Sequence, residues 1–135
     1  MLKLMIGVKG TGKTKTLIEM VNSAVNATGG SVVCIEKGDK LRYDIKYQAR
    51  LVNTEEYKIA DATALYGFVA GILASNHDVT DLFIDSALKI CKEDRAAFDV
   101  MLDELNALAE KTETKLFVTA SMPAEEASDT VKKYL

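Results

Sequence analysis

Short apolar runs alternate with amphipathic stretches along this chain. Leu2–Val8 reads as a strand, and a glycine-containing turn leads from it into a helix over about Lys13–Thr28. Leu17, Val21 and Ala24, with Ile18 and Val25 beside them, give that helix an apolar stripe at 3.6-residue spacing, and Gly29-Gly30 stops it. Ser31–Glu36 is a buried strand ending in a carboxylate. In the polar stretch Lys37–Gln48, Leu41, Tyr43, Ile45 and Tyr47 alternate with Arg42, Asp44 and Lys46, the pattern of an exposed edge strand or hairpin. Arg50–Asn53 is a weaker strand. The next helix, capped by Thr54 or Asp61, runs to about Ser75 with Leu65, Phe68, Val69, Ile72 and Leu73 on its apolar face. Asp81–Asp85 is a second buried strand ending in a carboxylate. A helix over about Asp94–Lys111 buries Phe98, Met101, Leu102, Leu105 and Leu108, and Lys115–Ala120 is the last strand. Ser121-Met122-Pro123 reads as the start of a final helix, with proline in its first turn.

Strands separated by helices predict βαβ units, hence an α/β fold of three layers with a five-stranded, mostly parallel sheet covered on both faces. Ligands of such sheets bind at the carboxyl ends of the strands. The 135 residues fit a single domain, residues 1–135. A net charge of −3 argues against a nucleic-acid backbone as main partner. Cys34 and Cys91 lie far apart in apolar contexts and read as buried reduced thiols. The first apolar run ends by Val8, too short for a leader or a membrane span, so the expectation is a cytoplasmic protein without a membrane partner. His77 stands in a polar turn, and no Cys/His cluster has zinc spacing.

Candidate chemistry begins at Gly7-Val8-Lys9-Gly10-Thr11-Gly12-Lys13-Thr14, which fits G-x-x-x-x-G-K-[ST] at every fixed position, between a predicted strand and a predicted helix. Such a loop (the Walker A signature) turns backbone N–H groups, with the positive end of a helix, toward phosphate oxygens. The expected nucleotide contacts are Gly7, Lys9, Gly10, Thr11, Gly12, Lys13, Thr14 and Lys15, with Lys13 on the β- and γ-phosphates. Thr14 then ligates Mg2+, and Asp85, at the tip of an apolar strand, is its expected second metal residue (Walker B). Many ATPases with this loop place a glutamate directly after that aspartate, but Ser86 and Ala87 follow here. The search for a catalytic carboxylate therefore moves to Glu36, at the end of the strand after the loop helix.

The order of parts resembles the RecA-like branch of the P-loop NTPases over about residues 1–122, although only the phosphate loop is specific at residue level. The resemblance rests on Gly7–Thr14, on a glutamate ending the strand that follows, and on Phe83-Ile84-Asp85-Ser86. It implies a sheet order of 5-1-4-3-2, ATP as ligand, Tyr43 stacked on the adenine, and Thr119 or Ser121 as a γ-phosphate sensor. The connections near the last strand are too short for the DNA-binding loops of recombinases, which argues against strand exchange. Arg42, Arg50 and Arg95 are the only arginines, and none stands in an arginine-finger context. Lys9 is not at the second loop position, where partition and septum-site ATPases carry their signature lysine.

These readings converge on a Mg2+-dependent ATP-binding protein, a small ATPase with Lys13 and Glu36 in catalysis and hydrolysis stimulated by a protein partner or homo-oligomer. A non-catalytic nucleotide switch, in which ATP orders Lys37–Gln48, is the first alternative. A small-molecule or nucleoside kinase is the second, and the chain lacks a lid-like insertion for it. The segment Glu36–Arg50 carries five basic and three acidic residues, a surface for a partner or a phosphate-bearing substrate or, more simply, a solvated face.

Overall fold

The computed structural model describes residues 1–135. Five strands form one all-parallel sheet: β1 (Leu2–Gly7), β2 (Ser31–Glu36), β3 (Arg50–Asn53), β4 (Val79–Ile84) and β5 (Lys115–Ser121). The principal helices are α1 (Lys13–Ala27), α2 (Ala62–Ser75) and α4 (Arg95–Thr112). Two four-residue helices, α3 (Ala87–Ile90) and α5 (Asp129–Lys132), complete the set. The sheet order is β1-β5-β4-β2-β3.

That order corrects the expected 5-1-4-3-2. β5 sits between β1 and β4, and β2 sits between β4 and β3. Burial explains the arrangement. A central strand of a parallel sheet is covered on both faces and reads as a near-continuous buried run. β2 buries Val32 to Glu36 without a break, and β5 buries Leu116 to Ala120. β1 exposes Lys3, and β3 buries only Val52, so both belong at the edges. The outer rim of β1 is closed over its first half: Leu2 N donates to Asn106 Oδ1 (3.0 Å) and Leu4 N to the Tyr134 carbonyl (2.8 Å). These partners occupy backbone groups that would otherwise offer a template for another strand.

Alternate residues of each strand feed two cores. Leu4, Val33, Ile35, Leu82, Ile84, Leu116 and Val118 face α2 and α4, meeting Leu65, Val69, Phe98 and Leu102. Val32, Cys34, Phe83 and Phe117 face the other way, against Leu17 and Val21 of α1. The layers are therefore helix, sheet, helix.

Two further expectations need correction. Residues 37–49 form a run of turns and no strand. Leu41 and Ile45 both turn inward, linked by Ile45 N to Leu41 O (3.0 Å), so their spacing is that of a tight turn and not of a strand face. Nor does a regular helix close the chain. Pro123 leads into a 3-10 turn (Ala124–Glu126), and Ser128 caps the short α5 through Val131 N. α3 falls in a stretch to which the sequence assigned no element. Asp61, not Thr54, caps α2, while Thr54 opens a 3-10 turn of its own. No helix is long and apolar enough to cross a membrane.

Candidate functional site

The loop between β1 and α1 is shaped by Gly10 (φ +87°) and Gly12 (φ +86°), in left-handed backbone that residues with a Cβ rarely adopt. Thr11 Oγ1 donates to the Val8 carbonyl (2.7 Å) and tightens the turn. Lys13 lies almost fully buried, folded back over the loop, its ammonium donating to the carbonyls of Gly7 and Val8 (2.9 Å each). Gly12 stands at the N-cap of α1 and offers no side chain to its first-turn N–H groups, and that turn holds no acid. α2 and α4 are capped instead by Asp61 and Asp94. The positive end of α1 is thus left free beside the loop.

Asp85 follows β4 directly and is brought to this helix start. The Thr14 hydroxyl lies 3.2 and 3.3 Å from its two carboxylate oxygens. Thr119, one strand over on β5, donates its hydroxyl to Asp85 Oδ1 (2.7 Å) and accepts from Ser86 N (2.8 Å). This bridge is possible only because β5 adjoins β4. Ser86 itself has φ +54°, a turn that carries the chain away from the sheet into α3.

Glu36 is buried at the end of β2, accepting from Leu41 N at Oε2 (3.1 Å). Burial raises its pKa, with Asp85 and Asp39 adding to the rise, while the amides of Leu41 and Lys40 oppose it. Leu41 belongs to residues 37–49, whose Leu41, Ile45 and Ala49 are buried in the α1 core. Asn22 of α1 clamps the segment, donating to the Asp44 carbonyl and accepting from Lys46 N (2.9 Å each).

Lys9, Gly10, Lys13, Thr14, Glu36 and Asp85 line one cavity of about 560 Å³ at the carboxyl ends of the strands. That is within the roughly 300–1,000 Å³ of small-ligand sites. Ser121 lines it too, whereas Thr119 reaches it through Asp85 and Ser86. Gly7, Thr11, Gly12 and Lys15 shape or flank the loop without lining the cavity, and Tyr43 stands outside it, 85% exposed beneath the Arg42 guanidinium. Lys37 and Lys40 were noted only within the basic segment Glu36–Arg50, and two further lining residues, Lys89 and Glu93, were missed. The last two come from the segment after Asp85, where an apolar-polar pattern too short to assign concealed the helical turn that carries Lys89 and the turn after it.

No cluster of three or more His, Cys, Asp or Glu side chains is present to cage a metal ion by protein ligands alone. One hydroxyl beside one carboxylate is instead a partial donor set of the kind Mg2+ completes with water and phosphate oxygens. What the residues define is an α/β domain with a polar, lysine-rich cavity at the carboxyl edge of its sheet. No protein-family model matches the chain, and no curated protein matches it either.

Proposed function

We propose that this chain is a P-loop protein that binds Mg-ATP at residues 7–14 and hydrolyses it slowly, with a partner or second copy accelerating the reaction in the cytoplasm. The observation that carries this reading is the meeting of Thr14 and Asp85 within 3.3 Å, beside an uncapped helix start and the buried Lys13. The proposal rests on this local arrangement and not on strand order.

Each residue then has a task. Lys13 exchanges its two carbonyl acceptors for phosphate oxygens, and the free N–H groups of α1 accept the anion. Thr14 and Asp85 hold Mg2+, which when bound neutralises phosphate charge. Thr119 fixes the Asp85 carboxylate. Glu36 positions and deprotonates the attacking water, and its raised pKa moves it toward the range where a general base works.

Calorimetric titration with Mg-ATP tests the reading. Lys13→Ala should weaken binding by about 100-fold, near 2.7 kcal/mol, whereas Glu36→Gln should keep binding and lose turnover. Absence of ATP binding by the wild type, or equal binding by Lys13→Ala, refutes it.

A second reading has one observation behind it. Glu36 is tied to the amide of Leu41, so nucleotide at the cavity can act on residues 37–49 without hydrolysis. ATP binding with no turnover under any condition, and nucleotide-dependent hydrogen exchange in that segment, would select this switch.

A further inference from the structure

We propose that Lys37, Lys40 and Lys89 form a cation set, built into this chain, that holds the terminal phosphate charge in place of an arginine supplied by another molecule. This rests on the nucleotide-binding reading and adds the residues that separate triphosphate from diphosphate.

The argument starts from charge. Five lysines (Lys9, Lys13, Lys37, Lys40, Lys89) and three carboxylates (Glu36, Asp85, Glu93) line the cavity. None of these lysines pairs with a carboxylate, since the chain's three ion pairs are Arg42–Asp39, Arg95–Glu126 and Lys133–Asp103, all elsewhere. The two lysines of the glycine-rich loop alone leave the cavity with more carboxylates than ammonium groups, a poor place for an anion. The other three turn that deficit into an excess of two positive charges. A magnesium-bound nucleoside triphosphate carries roughly two negative charges and the diphosphate about one, so the excess matches the triphosphate.

Their placement agrees. Lys37 and Lys40 follow Glu36 at the end of β2, and Lys89 stands on α3 just past Asp85. The two groups thus approach from the two strand ends that carry Glu36 and Asp85. No arginine lines the cavity: Arg42 is held by Asp39 and Tyr43, Arg95 by Glu126, and Arg50 lies in β3. Lysine suits this task as a mobile point charge, needing no planar fork geometry to meet a phosphate.

The test replaces all three, which are exposed, by glutamine in the full chain (K37Q, K40Q and K89Q together), with folding checked by the melting temperature. Affinities are measured for Mg-ATP, Mg-ADP and inorganic tripolyphosphate at several salt concentrations. The expected loss is about 30-fold or more for ATP and tripolyphosphate, against about 3-fold for ADP, with a shallower salt dependence. The corresponding triple arginine variant should recover ATP affinity. Equal losses for ATP and ADP, or no loss, would overturn the proposal while nucleotide binding stands. A wild type that binds neither ATP nor tripolyphosphate removes both readings. One that binds tripolyphosphate but not ATP removes the nucleotide reading and leaves the cation set to be judged by the glutamine variant's tripolyphosphate affinity.

Discussion

The two faces of the sheet are built to different standards. One is covered by α2 and α4, with α3 and α5 at its margins, and its core gathers 27 buried residues. The other is covered by α1 and the irregular residues 37–49, over a core of 9. An open groove of about 920 Å³ runs beside α1 between Met20 and Phe83 on this thinner face. Parts of the candidate site belong to the thinner side: the loop feeds α1, and the amide that holds Glu36 comes from the turns packed on it. The difference separates two tasks. The thick face supplies most of the buried core, and the Asp85 carboxylate is held by Thr119 from the neighbouring strand. The thin face carries elements that can yield locally, and local openings concentrate where buried apolar contacts are few.

The largest effect should come from the thick face. Phe98→Ala removes a wholly buried ring and should cost about 3–5 kcal/mol in urea unfolding. Leu17→Ala, equally buried but in the smaller core, should cost less, near 2–3 kcal/mol, because the side chain is smaller and its core holds fewer buried residues. A reversed ranking would break the comparison. Next comes the clamp on residues 37–49. Asn22→Ala removes two hydrogen bonds to the segment and should destabilise by about 1 kcal/mol. Hydrogen exchange should quicken at Lys46 and Leu41 while α2 and α4 keep their protection. Uniform acceleration would mean that the faces unfold as one.

The smallest effect is a dependence on pH. The pKa of Glu36 is raised by folding, so the native state binds the proton more tightly than the unfolded chain. Stability therefore falls as pH rises from the ordinary carboxylate range through the raised value, and stays reduced above it. Glu36→Gln retains an acceptor for Leu41 N and carries no charge. It should melt above the wild type at pH 8, with the gap closing as pH drops toward 4. A constant gap would show that ionisation of Glu36 is not its source.

The sequence made most elements legible for a physical reason. Strands buried on both faces, such as Val32–Ile35 and Leu82–Ile84, read as unbroken apolar runs, and α4 shows its stripe from Phe98 to Leu105. Sheet order is a different kind of information, because an apolar run shows that a strand is covered without naming its neighbours. The polarity of Lys3 and Arg50 was the available signal that β1 and β3 lie at the edges. In residues 37–49 the period misled, because Leu41 and Ile45 fit an alternating pattern as well as a turn with both side chains inward. Of the candidate site, Lys13, Thr14, Glu36 and Asp85 were named from motif and strand end, and the structure brings them to one cavity. Thr119 was visible only as a sensor candidate. Its bond to Asp85 depends on the adjacency of β4 and β5, which local pattern does not encode.

The edge position of β1 also governs when the site can exist. Its only strand partner is β5, in a register that sets Leu2 against Leu116 and Gly7 against Ser121. Contacts of such long sequence separation close late, and chain synthesis runs from the N-terminal end. The glycine-rich segment is therefore made early, yet has no sheet to stand on until β5 is available. β2, β3 and β4 can pair in the meantime, through Ile35–Val52 and Ile35–Ile84. During that interval the nascent chain has its lysines and glycines but no finished cavity, which is completed as one of the final events of maturation.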